Sequence, residues 1–324
     1  MKSTRSALWR VAVHRLLLAV PILFGVTLLT FFVLDLLPGN AARQLLGANA
    51  TPEQIAQLES KLNLQLPPWV RYAHWLGATL SGDLGKSMAS SQPVTALVSE
   101  RFPVTLELVA YAFVLSLSLA VPAALLAAHR PNHFADRLTL AVSMVGVSVA
   151  SYVLAPVLVL AFAVHLPLFP SIGLTPAGEG VWANLHSLML PAIAIAFPLT
   201  CFYTRFLRGD LLEQVHGKDY VMSAVAKGVG SWQVLINHAL RNSMFGLLTL
   251  VGLNFGTLIG GTVIVEQIFA LPGLGQLLLQ AINTRDAAVV QAIVLLLASV
   301  TVLANLTVDL LYAALDPRIR YEQH

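Results

Sequence analysis

Few residues of this chain have types and spacings suited to covalent chemistry. Gly85-Lys86-Ser87 is the nearest approach to a phosphate loop. The pattern G-x-x-x-x-G-K-[ST] needs an earlier glycine where Leu80 stands, so the backbone cradle and lysine that hold nucleotide phosphates are not both present. His129 and His133 have the i, i+4 spacing of helical metal ligands. Pro131 between them interrupts a regular helix, and no third ligand is close in sequence, so they read as loop histidines. Cys201 is the only cysteine, which excludes an intrachain disulfide, and no Ser or Cys is flanked by a positioned base. The expectation is a chain with no catalytic, cofactor or metal site of its own. Three polar residues remain inside apolar runs, Asn254, Glu266 and Asp309, as candidates for a polar pathway, with a paired role as a further reading for the two carboxylates. Hydrated helix ends are an equal reading for the two carboxylates.

The elements around these residues are dictated by composition. The chain has 324 residues, 57% hydrophobic and 11% charged. Soluble domains carry about 25% charged residues, so most of this surface faces lipid or buried protein. Runs of about 20 residues that avoid charge, the length needed to cross a hydrocarbon core, fall at roughly 16–37, 104–128, 138–165, 185–204, 244–265 and 287–315. The first is preceded by Lys2, Arg5, Arg10 and Arg15 like a signal peptide, but it is too long for one and has no small-residue cleavage site. The fold class is therefore an all-α polytopic membrane protein with six transmembrane helices. With the N-terminus inside, thirteen of the nineteen Lys and Arg residues fall on the inner side. Five of the other six lie in one long outer loop, so both termini are expected to be cytoplasmic. The charge of +3 then serves inner-face anchoring at the lipid membrane, with no nucleic acid partner.

Residues 1–37 form the cytoplasmic N-terminus and first span, and 38–102 a small extracytoplasmic subdomain. Within the subdomain, Thr51 caps a helix that begins at Pro52 and presents Ile55, Leu58 and Leu62 on one face. Pro67-Pro68 then breaks the chain before Trp69, Tyr72 and Trp75, which suit either the lipid interface or packing against the bundle. Residues 103–315 form a five-helix core and 316–324 a cytoplasmic tail. Pro272-Gly273-Leu274-Gly275 is either a surface turn or one that dips back towards the bundle. Gly252, Gly256 and Gly260 recur every fourth residue as a helix-packing stripe, for contact inside the bundle, with a second subunit, or along a smooth pathway wall.

One loop, 205–243, departs from this apolar plan. Its five basic residues, at about 2.5–3.5 kcal/mol each for a mid-bilayer position, keep it out of the membrane. Asp219 is a candidate N-cap, and Tyr220, Ala224 and Gly228 follow at helical spacing on one face that lets another backbone approach. Gly228 and Gly230 end that helix, Ser231 caps the next, and Trp232, Leu235 and Ile236 are available to pack. Two short helices around a glycine turn make a compact knob.

The segment DYVMSAVAKGVGSWQVLINHALRNS, 219–243, closely resembles the cytoplasmic coupling loop of ABC importer permeases in the dipeptide, oligopeptide and nickel branch. Ala224 and Gly228 match that family's motif, while Met222 and Ser223 stand where the general motif has Glu and Ala. Leu37-Pro38-Gly39, Pro103 to Leu108, Gly260-Gly261, Glu266, Arg285-Asp286 and the tail Asp316-Pro317-Arg318 extend the resemblance over nearly the whole chain, with Asn40-Ala41 in place of the more usual Asp-Pro. The resemblance implies a type I ABC transmembrane domain in a bacterial inner membrane. It implies a peptide permease subunit, with a nickel or metal-chelate permease as the alternative and a proton-driven secondary transporter as the rival from another class. Its implied partners are a second homologous permease, two ATP-binding subunits that carry ATP and Mg, and an extracytoplasmic substrate-binding protein. The loop residues that would serve ATPase coupling are Asp219, Tyr220, Ala224, Lys227, Gly228, His238, Arg241 and Asn242.

Overall fold

The computed structural model describes residues 2–36, 51–61, 65–217, 221 and 226–315. Helix α1 (Lys2–Leu36) passes through Pro21 without ending. A short α2 (Pro52–Lys61) follows, opened by a reciprocal cap in which the Gln54 amide donates to Thr51 Oγ1 at 3.3 Å and the Thr51 amide to Gln54 Oε1 at 3.0 Å. The side-chain contacts of Ile55, Leu58 and Leu62 lie outside the described residues. Pro68 starts α3 (Pro68–Leu80), where its missing N–H costs nothing. Tyr72 of α3 is buried edge-on against Phe24 and Phe31 of α1, and its hydroxyl meets Thr27 Oγ1 at 2.9 Å. Arg71 pairs with Asp35 at 2.6 Å, while Trp69 stays exposed. The aromatics of this segment thus divide: one anchors α3 to α1, and another is left for the surroundings.

Helix α4 (Val94–His129) begins ten residues before the expected span, so a domain boundary at 102 and 103 falls inside a continuous helix. Its start is held by the loop before it, where Ser87 Oγ donates to buried Asp286 Oδ2 at 2.6 Å. The third expected span is corrected to two pieces. Helix α5 (Phe134–Ser148) and helix α6 (Ser151–Leu158, continued by a π-helical Val159–His165) meet at a bend of 104°. Val149 and Ala150 between them are extended. Hydropathy is blind to direction, and neither residue is Gly or Pro, so a continuous apolar run concealed the corner.

Helix α7 (Val181–Gly217) and α4 form the most extensive pairing in the bundle. Small residues make this close approach possible: Ala112, Ala120, Ala124, Ala192, Ala194 and Ala196 are all buried. Arg208 of α7 holds buried Asp136 of α5 with both nitrogens of its fork, Nη2 reaching Oδ2 at 2.7 Å. Helix α8 runs from Ser231 to Ile268, α9 is Leu274–Asn283, and α10 is Ala287–Leu315. Five helices are long and apolar enough to cross a membrane, and the bent α5–α6 pair makes up to six. The last helix packs along the first, where Arg15 Nε meets Asp309 Oδ2 at 2.9 Å. No strand is present among the described residues.

Candidate functional site

Helix α8 carries most of the candidate residues and has a distinct structure at each end. At its start, Gly228 takes φ +79°, a left-handed conformation that ends the preceding segment and strains any other residue type. Gly230, not Ser231, is the N-cap, a shift of one residue that leaves Ser231 as the first helical position. Val234 is buried with Val221, and Val229 packs on them, so the loop folds back against the helix it feeds. Asp219, Tyr220 and Ala224 lie outside the described residues. Lys227 and Gly228 are exposed, and nothing stands within 4 Å of where a Gly228 Cβ would be.

The second helix of the expected knob is not a separate element. Ser231–Gln233 passes through a π-helical Val234–Leu240 into Arg241–Ile268 as one rod of 38 residues. The wide π turn contains half-buried His238, and Arg241 and Asn242 follow on the exposed face. Leu235 and Ala239 bury against Tyr203, Leu207 and Leu211 of α7 and Ala120, Ala124 and Ala128 of α4. Trp232 stacks on His129 with ring centroids 4.3 Å apart, which ties the start of α8 to the end of α4. Ile236 is left exposed.

At the other end, Glu266 is fully buried. Thr105 of α4 donates its hydroxyl to Oε1 at 2.7 Å, and the amides of Gly275 and Gln276 donate to Oε2 at 2.7 and 3.1 Å. The Leu274 amide in turn donates to Thr105 Oγ1 at 2.8 Å. Glu266 therefore caps α9 from a neighbouring helix, where free N–H groups and the helix dipole favour a negative charge. The segment Pro272 to Gly275 does turn back into the bundle, with Leu271 and Leu274 fully buried. Gly275 is required by proximity, because a Cβ there would overlap the Val263 backbone.

The glycine stripe divides. A Cβ on Gly252 would stand 2.8 Å from Val308 and one on Gly256 3.0 Å from Thr301, both on α10, whereas Gly260 faces open space. Two of the three glycines thus serve packing within the bundle. Asn254, Glu266 and Asp309 are not brought together. Asn254 donates to Leu250 O of its own helix at 2.8 Å, Glu266 grips α9, and Asp309 pairs with Arg15. Thr105 and Arg15 escaped the sequence reading because each pairs with a residue far along the chain, and the two α9 amides because the turn that brings them back to Glu266 is not readable from residue types. For Thr105 the sole sequence signal was its place in the Pro103 to Leu108 motif.

The family of binding-protein-dependent transport system inner membrane components matches residues 120–321, and the N-terminal membrane component of the same systems matches 8–109. A Brucella abortus protein carrying a peptide transport system permease name is 40% identical over 94% of this chain and 96% of its own length. The dipeptide transport system permease protein of Alkalihalophilus pseudofirmus is 36% identical over 96% of this chain and 99% of its own. The glutathione transport system permease protein of Escherichia coli O6:H1 is 35% identical, covering 96% and 98%.

Proposed function

The chain belongs to the family of binding-protein-dependent transport system inner membrane components, and from that premise we propose that it is a peptide permease of an ATP-driven importer. It would pair with a second homologous permease and two ATP-hydrolysing subunits, receive peptides from an extracytoplasmic binding protein, and keep both termini in the cytoplasm. The single observation that carries the mechanism is the continuity of α8. The glycine-ended loop stands at one end of this rod and the Glu266 grip on α9 at the other. ATP-driven closure of the partner subunits pushes the loop, and a rigid helix carries that displacement to the opposite side of the bundle without an intervening hinge. Alanine-lined contacts with α4 let the rod tilt at little steric cost about its start, which the Trp232–His129 stack ties to α4.

Peptide cargo is supported by the names of the relatives, which are those of peptide, dipeptide and glutathione systems. A proton-driven mechanism finds its two acids already engaged, since Glu266 accepts three hydrogen bonds and Asp309 is ion-paired. The test is Gly228→Trp in the complete transporter. Insertion should be intact, while ATP-dependent peptide uptake disappears and the ATPase subunits dissociate more readily. Unchanged uptake in vesicles would overturn the coupling assignment.

A further inference from the structure

Between α4 and α7 runs an apolar groove of about 180 Å³, open on one side and lined by Tyr111, Val114, Leu115, Leu188, Met189 and Ala192, among others. One helical turn beyond Tyr111, at the end of the groove nearer residue 94, stands Glu107, only partly exposed. The Tyr111 hydroxyl lies 3.1 Å from Asn184 Oδ1 and 3.3 Å from Glu107 Oε1. Asn184 is itself fully buried and anchored by its amide to Thr175 O at 3.0 Å. A phenol has one proton, so the two acceptors share a single donor. Among the described residues no Lys, Arg or His forms an ion pair with Glu107, whereas Asp35, Asp136 and Asp309 each have an arginine. A carboxylate inside a membrane span is costly, and one left without a cation beside a groove is poised for a cationic ligand.

We infer that Glu107, positioned by Tyr111, binds the free α-ammonium of the transported peptide while the groove takes its first apolar side chain. The inference rests on the peptide reading above. Size agrees with charge: sites for drug-sized molecules occupy about 300–1,000 Å³, so this groove fits one side chain and not a whole peptide. Glutamate is also an acceptor that an ammonium can reach with up to three donors, which the crowded phenol cannot match.

Two measurements on the assembled transporter in liposomes test the site. In the first, a cysteine replaces Val114, one side chain on the same face as Glu107 and about 10 Å along the helix, in a Cys201→Ser chain. Relative to the same ratio for a free thiol in solution, a cationic methanethiosulfonate should be favoured over its anionic counterpart by about a further tenfold, through local focusing of charge, and Glu107→Gln should remove that excess. Equal ratios with and without the carboxylate, or no labelling, overturn the site. In the second, uptake of radiolabelled Leu-Leu at sub-saturating concentration should fall about tenfold or more in Glu107→Gln, the loss of a charge-assisted hydrogen bond, with Glu107→Asp largely restoring it. Uptake unchanged by Glu107→Gln overturns the inference and leaves the peptide reading standing. Absence of uptake by the unaltered complex of Leu-Leu, a free-amino-terminal pentapeptide and glutathione alike instead removes the peptide reading, and the ammonium assignment with it.

Discussion

Replacing Glu266 by alanine strips Thr105, Gly275 and Gln276 of one common acceptor in a site without water access. Each buried donor left unsatisfied costs about 1–3 kcal/mol, so Glu266→Ala should lose about 3 kcal/mol or more of stability. The thermal midpoint in detergent should fall, and protease should cut within 269–283 before it cuts elsewhere; an unchanged midpoint would show that Glu266 does not hold α9. Asp309 and Arg15 provide the contrast. Their side chains are 30% and 52% exposed, and an ion pair of that kind contributes about 0–1 kcal/mol. A double-mutant cycle with Arg15→Ala and Asp309→Ala should therefore give a coupling below about 1 kcal/mol, and a larger value would mean that lipid, not water, surrounds the pair.

Among the elements, α8 and α10 meet through glycine in a way that distinguishes positions about two turns apart. Gly252→Val forces a side chain into Val308 and should cost about 1–3 kcal/mol as overpacking, whereas Gly260→Ala enters open space and should leave the folded subunit's melting unchanged. Equal effects at the two sites would contradict the asymmetric packing. The α5–α7 contact depends on charge. Asp136 is 1% exposed and Arg208 16%, so Asp136→Ala leaves a guanidinium largely buried and unpaired, with an expected loss of about 3–5 kcal/mol measurable as reduced yield and midpoint. Much of this scale was readable from the sequence. Charge-free runs located the spans, Thr51-Pro52 marked a helix start, and Gly228 marked the end of the loop segment. What stayed hidden required contacts across the chain or a change of direction. The corner at Val149 and Ala150 lies in an apolar run, and the continuity of Ser231 with the span behind it was masked by polar residues that hydropathy assigns to a loop.

For the molecule as a whole, fold class and family were legible because composition and ordered motifs extend over nearly every segment, while the partners of Glu266 were not, since they come from other helices. Absolute orientation is checked by cysteine labelling in a Cys201→Ser chain. Ser3→Cys should react only with reagent on the cytoplasmic side and Ser90→Cys only with reagent outside, and the reverse pattern would invert the assignment. The Arg15–Asp309 pair has a consequence for topology that does not depend on that experiment. It sets a residue near one end of the chain against a residue near the other, and with Leu34 at the far end of α1 packed against the cluster of Val289 and Val290, the first and last spans lie side by side and antiparallel. Two ends on one face demand an even number of crossings. With each of the five long helices crossing once, that parity is met when the bent α5–α6 pair also crosses, which is the six-span reading of this fold.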